Sequence, residues 1–279
     1  MKKIFFTGCL FLATATFAQT AKTVVTDKMP GAACDNIVHN TLPADAPDRS
    51  PSECEIQFDW KVRTALRDAF KKALQQYSAN DWVISDTAVE PLKEVSKATE
   101  RIYFALSYYF KIDMLAQSDL YRSQSEKYNA AMEAVSAQPG ATSSNKLSDV
   151  LQEVNEATHI KFYITVNDLT KRIYFIKGGH RLFNQPGASF AVRGPYAAGL
   201  SGGGIDNARN ACLLVFGKSN ISSQKENDGG TSFLITNSFA KASKLTVQNI
   251  AIRMEGSDAL IDALLKEIDL KQIEALVGH

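Results

Sequence analysis

The chain has 279 residues, 31 of them basic and 30 acidic, and 45% of it is hydrophobic. That apolar content excludes wholesale disorder, and the balanced charge offers no global field to nucleic acid. A chain of this length buries one large core or two smaller ones.

Lys2 and Lys3 precede an apolar stretch, Ile4 to Ala18, that ends in small residues. This pattern is that of an export signal cleaved after Ala18. Thr7, Thr14 and Thr16 interrupt the stretch, which falls short of the roughly 20 apolar residues a spanning helix needs. Phe6-Thr7-Gly8-Cys9 has the look of a lipoprotein box, but Cys9 lies within the apolar stretch and not after it, so lipidation is not expected. Downstream of Gln19 no apolar run approaches spanning length. The mature protein is therefore expected to be periplasmic or secreted, with no transmembrane segment.

Residues 19–55 show no sustained period and much Pro, Asp and Ala, which predicts an irregular leader. Cys34 and Cys54 flank its Pro-rich part, and a bridge between them would pin it, stabilising by roughly 3 kcal/mol in the loop-entropy view. Cys212 sits inside the apolar run Ala211 to Phe216, where a buried inert thiol is expected.

Residues 56–137 read as a helical region. Val62, Leu66, Phe70, Ala73 and Tyr77 recur at helical spacing with Asp59 as the expected N-cap. A second helix is expected after Asp86 through Leu92, Val95, Thr99, Ile102, Leu106 and Tyr109, and a third from Asp119 through Leu120, Tyr128, Met132 and Val135. Residues 138–145, with Pro139 and Gly140, read as a linker. The rest, 146–279, reads as an α+β domain. A short helix at Leu147 to Val154 gives way to strands at Ile160 to Val166 and Arg172 to Ile176, expected to pair as a hairpin across Asn167 to Lys171. Further strands are expected at Ser189 to Arg193, Ala211 to Phe216, Ser232 to Asn237 and Leu245 to Met254. Ser257 should cap a helix striped by Leu260, Ile261, Leu264, Leu265 and Ile268, and Asp269 a last one. The expected fold is thus α+β: an N-terminal helical segment, then a largely antiparallel sheet of five to six strands with a C-terminal helix packed on it.

Catalytic motifs fail on context. Gly199-Leu200-Ser201-Gly202-Gly203 fits G-x-S-x-G, but an elbow needs a strand before the serine and a helix after it; Gly194-Pro195 and the glycines after Ser201 oppose both. A hydrolase would also need a downstream histidine, and His279 is the last residue. Gly217-Lys218-Ser219 ends like a phosphate loop, but strand-forming residues precede it. The four histidines and four cysteines show no ligand spacing, so neither metal nor other cofactor is expected.

Two features remain. The segment Arg193 to Asn210 holds five glycines and reads as a long loop in which Arg193, Tyr196, Asp206, Asn207 and Arg209 could bind a polar or anionic ligand. In the segment 102–110 the aromatics, Tyr103, Phe104 and Tyr108 among them, would point to every side of a helix, as suits contact with a partner. The residues favour an exported, non-catalytic binding or interaction protein whose partner is a protein or small ligand. The alternatives are a hydrolase-like enzyme using Ser201, and a structural envelope-associated protein contacting a partner through 102–110. Intact-mass measurement of the exported product is expected to give a chain beginning at Gln19; retention of residues 1–18 would contradict the cleavage.

Overall fold

The computed structural model describes residues 48–77, 81–85, 92–95, 104–137, 141–168, 170–176, 178–197, 209–237 and 245–278. The export signal, Cys34, Tyr103, Ser201, Asp206 and Asn207 lie outside the described residues.

Helix α1 (Glu53–Gln75) begins at a capping box. Ser52 Oγ accepts from Glu55 N, and Glu55 Oε2 accepts from Ser52 N at 2.7 Å, satisfying two amides that a helix start leaves open. Arg49 grips the same carboxylate at 2.6 and 2.9 Å. Burial works against ionisation of Glu55, but Arg49 and Ser52 outweigh it and hold its carboxyl below the usual range. Asp59, expected as the cap, is instead a buried residue of the second turn. It accepts from Arg63 at 2.8 Å, the Tyr108 hydroxyl at 3.0 Å and Leu92 N at 3.3 Å, tying the helix to the chain that follows. The helix thus starts inside the expected leader. Cys54, in its first turn, is engaged in a disulfide; the expected partner, Cys34, is outside the described residues.

The helix expected from Asp86 to Tyr109 is not formed where the chain is described. β1 (Trp82–Ser85) pairs antiparallel with β2 (Leu106–Met114), with Trp82 opposite Met114. The aromatic run is two-sided strand: Leu106, Tyr108, Phe110 and Ile112 pack toward α1, while Ser107, Tyr109, Lys111 and Asp113 face the other way. α2 (Asp119–Ala137) and α3 (Ala141–Thr158) pack together, and α3 reaches the sheet. α3 runs through residues 141–145 of the expected linker and is much longer than the short helix expected there. No residue of α2 is fully buried.

The remaining strands are β3 (His159–Val166), β4 (Thr170–Phe175), β5 (Arg181–Leu182), β6 (Phe190–Ala197), β7 (Arg209–Gly217), β8 (Ser219–Lys225), β9 (Thr231–Asn237) and β10 (Asn249–Glu255). Among the described residues they complete a sheet of ten strands in the order β1-β2-β3-β10-β7-β6-β4-β9-β8, with β5 on β6, and every pairing there is antiparallel. The fold is therefore mixed helix and antiparallel sheet as expected, but with ten strands in place of five to six and with strands interleaved among the N-terminal helices. β8 escapes the sequence pattern because, apart from Ile221, it is a polar edge strand, as edges exposed to solvent commonly are.

The expected β3–β4 hairpin does not exist. β3 pairs with β2 and β10, and β4 with β9 and β6. The chain is diverted at Asn167, which is fully buried and left-handed at φ 57°. Its Nδ2 donates to Phe104 O at 3.1 Å and Thr246 O at 2.9 Å, and its Oδ1 accepts from Gln248 N at 2.7 Å. One side chain satisfies three backbone groups from two distant segments.

α4 (Asp258–Glu267) is capped by Ser257, and α5 (Leu270–Ala275) by Asp269, both as expected. α1, α4 and α5 cover one face of the sheet, where Phe70, Phe104, Phe162, Phe216, Ile250 and Ile261 lie in one cluster that draws on both sides of the 138–145 segment. On the opposite face Ile173 and Phe175 of β4 and Phe233 and Ile235 of β9 pack with Val192, Leu213, Val215 and Ala251. Flat strands four places apart stand roughly 19 Å from one another, so the β4-β9-β8 end must curl over the back of β6-β7-β10. Gly194 permits the close approach this requires: a Cβ there would lie 2.3 Å from Gly179 O, at a φ of 151°. Cys212, the free cysteine among the described residues, is buried in the helix-side cluster. Among the described residues no helix is long and apolar enough to cross a membrane.

Asn167→Ala strands two carbonyls and an amide in the interior and places alanine in a left-handed conformation. A loss of about 3 kcal/mol is expected from the urea midpoint at unchanged slope; a variant as stable as the parent would contradict the anchoring role of Asn167.

Candidate functional site

The curled β4-β9-β8 end covers the back of the sheet at β6, β7 and the Ala251 end of β10. Toward β2 and β3 the back face turns polar. Antiparallel register sets Lys111 opposite Lys161 and Lys161 opposite Glu255, and in the next row Tyr109 opposite Tyr163 and Tyr163 opposite Arg253. The C-terminal half of α3 closes one side, leaving a cleft of about 270 Å³ between the helix and the strand ends. Lys111, Lys161 and Arg209 rise from its floor, and Ser148, Gln152 and Asn155 line its wall.

The carboxylates here are already committed. Glu255, 5% exposed, lies 3.0 Å from Arg253 Nε and 3.4 Å from Arg209 Nη1. The Arg253 guanidinium lies over the Tyr163 ring at 4.1 Å and the Tyr196 ring at 4.8 Å, and donates to the Tyr196 hydroxyl at 2.9 Å. Asp113 is shared by Lys111 at 2.6 Å and His159 Nε2 at 3.3 Å. Glu156 accepts from Asn210 N at 2.8 Å and Gln152 Nε2 at 2.9 Å, which fastens α3 to the start of β7. Among the described residues Lys161 has no carboxylate within 4 Å. Burial first, and the repulsion of Arg209 and Lys111 with it, holds the Lys161 ammonium pKa below its ordinary value, with Glu255 pulling the other way. Burial likewise lowers the pKa of His159, whose Nδ1 faces Asn155 O at 3.1 Å.

The residues singled out from sequence separate into four groups. Arg209 stands at the rim of the cleft, 49% exposed on its side chain, and Tyr196 supports Arg253 beneath it. Arg193 faces the helical side, where its side chain is 6% exposed and clamps Asp262 at 2.6 Å together with Asp258. Asp206, Asn207 and Ser201 are outside the described residues, and of the segment expected as a long loop β6 takes the residues up to Ala197 and β7 those from Arg209. Of the aromatic candidates, Phe104 is fully buried and the Tyr108 hydroxyl is spent on Asp59. Lys111, Lys161, Arg253 and Glu255 escaped the sequence reading because three separate strands bring them together. The outward alternation of Lys161 and Tyr163 was a visible signal, but its partner strand read as helix. Among the described residues no group of His, Cys, Asp or Glu side chains is arranged to hold a metal ion.

No protein family, curated protein or solved structure was found to match this chain.

The Arg193 clamp sets a pH dependence. Burial opposes ionisation of Asp258, but hydrogen bonds from Asn210, at 3.1 Å, and Arg193 outweigh it and keep the carboxyl below its usual range. A carboxyl lowered in the folded state contributes stability that is complete above the unfolded value, about 3.9, and is lost as pH falls through the folded one. The parent is expected to melt above Asp258→Asn at neutral pH, with the gap closing below about pH 4; a gap constant over that range would contradict the clamp.

Proposed function

We propose that this chain is an exported protein, freed of residues 1–18, that works by binding an anionic ligand in the cleft between α3 and strands β2, β3, β7 and β10. The observation that carries the reading is Lys161, a partly buried ammonium with no carboxylate within 4 Å among the described residues, flanked by two further cations. Desolvating a cation without a counter-ion is unfavourable, and a bound anion removes that penalty. The neighbouring carboxylates compensate it only in part: Glu255 and Asp113 act on Lys161 from beyond ion-pair distance, and they and Glu156 are each held by other groups. Most small-ligand pockets are lined by apolar side chains with a few convergent polar groups; this one is concave but lined mainly by polar and charged side chains, which suits a charged, hydrated ligand. The structural disulfide at Cys54 suits the oxidising compartment that export implies.

Calorimetric titration of the mature protein with phosphate, sulfate and citrate at low ionic strength is expected to show binding that weakens with added salt. Lys161→Met should lower affinity at least about tenfold while leaving the protein as stable as the parent or more so, since it removes a partly buried charge that its neighbours compensate only in part. Unchanged affinity in Lys161→Met, or no binding of any anion, would overturn the reading.

A further inference from the structure

We infer that the ligand is a sugar acid, a carboxylate carried on a polyhydroxylated ring; this rests on the anion-binding reading above and extends it. The floor and wall of the cleft differ in chemistry. The floor presents cations, Lys111, Lys161 and Arg209, suited to an anionic group. The wall is one face of α3, where Ser148, Gln152 and Asn155 follow at spacings of four and three residues and so stand above one another. Gln152 spends its amide N–H on Glu156 and keeps its carbonyl oxygen. Neither the Ser148 hydroxyl nor the Asn155 side-chain amide has a hydrogen bond among the described residues, while the Asn155 backbone carbonyl is taken by His159. The wall therefore offers both donors and acceptors, the complement of ring hydroxyls, which are both at once.

The other anion classes leave part of the cleft unused. A bare inorganic anion engages the floor alone. A fatty or aromatic acid needs apolar lining, and the cleft supplies Leu151, 41% exposed, and no Phe, Tyr or Trp among the described residues. A nucleotide finds no Phe, Tyr or Trp there on which to stack its base, and the His159 imidazole is held between Asp113 and Asn155 O.

The test is calorimetry of the mature protein against sodium glucuronate, glucose and sodium acetate. Glucuronate is expected to bind at least about tenfold more tightly than either of the others. In Ser148→Ala/Asn155→Leu, at positions exposed on α3, glucuronate should fall to the acetate level while acetate is unchanged; in Lys161→Met both should weaken. Acetate or glucose binding as tightly as glucuronate would overturn the sugar-acid inference, the former leaving the anion site standing. Failure of every anion, phosphate and sulfate included, would overturn both. Galacturonate against trigalacturonate separates the two sources of the same chemistry: tighter binding of the monomer supports a free sugar acid, and tighter binding of the trimer a chain end.

Discussion

From Ala211 to Phe216 strand β7 is apolar on both faces, and the rest of the structure is arranged around that constraint. Cys212, Leu214 and Phe216 face the helices, and Ala211, Leu213 and Val215 face the curled end of the sheet. A strand that buries both faces cannot stand at an edge or meet solvent on either side. Helices must cover it from the front and other strands from the back. The same burial fixes register, because a slip of one residue would exchange the contents of two differently shaped cores.

The location of the cleft follows. The β4-β9-β8 flap is wide enough to cover the back of β6, β7 and part of β10, but it does not extend over β2 and β3. There the back face carries Lys111, Lys161, Tyr163, Arg253 and Glu255 in place of aliphatic residues. The α2–α3 hairpin, inserted between β2 and β3, brings α3 alongside this uncovered strip, and the bonds from Glu156 to Asn210 and Ser257 fasten it there. The site is thus the place where a sheet built for two cores has only one.

How legible this was in the sequence depended on whether the determining contacts were local. The caps of α4 and α5, the alternation of β3 and the all-apolar run of β7 are set by residues within a few positions of one another, and all were readable. The helix expected over Leu106 and Tyr109 failed because a spacing of three and four can also be sampled by a strand with aromatics on both faces; what selects strand is pairing with β3, fifty residues away. The β3–β4 hairpin failed because a polar turn does not reveal that Asn167 binds Phe104 and Thr246 across the molecule. At the cleft, Arg209 and Tyr196 were found through their loop, whereas Lys161 acquires its character only from the register that sets it beside Lys111.

Cys212 bears on how the native disulfide is kept. Thiol–disulfide exchange proceeds through the thiolate, and burial pushes this thiol up to about 12, so the folded protein holds almost no nucleophile at that position. Before β7 is enclosed the same cysteine is an ordinary competitor for Cys54. Enclosing β7 between its two cores therefore also withdraws Cys212 from thiol–disulfide exchange in the folded protein.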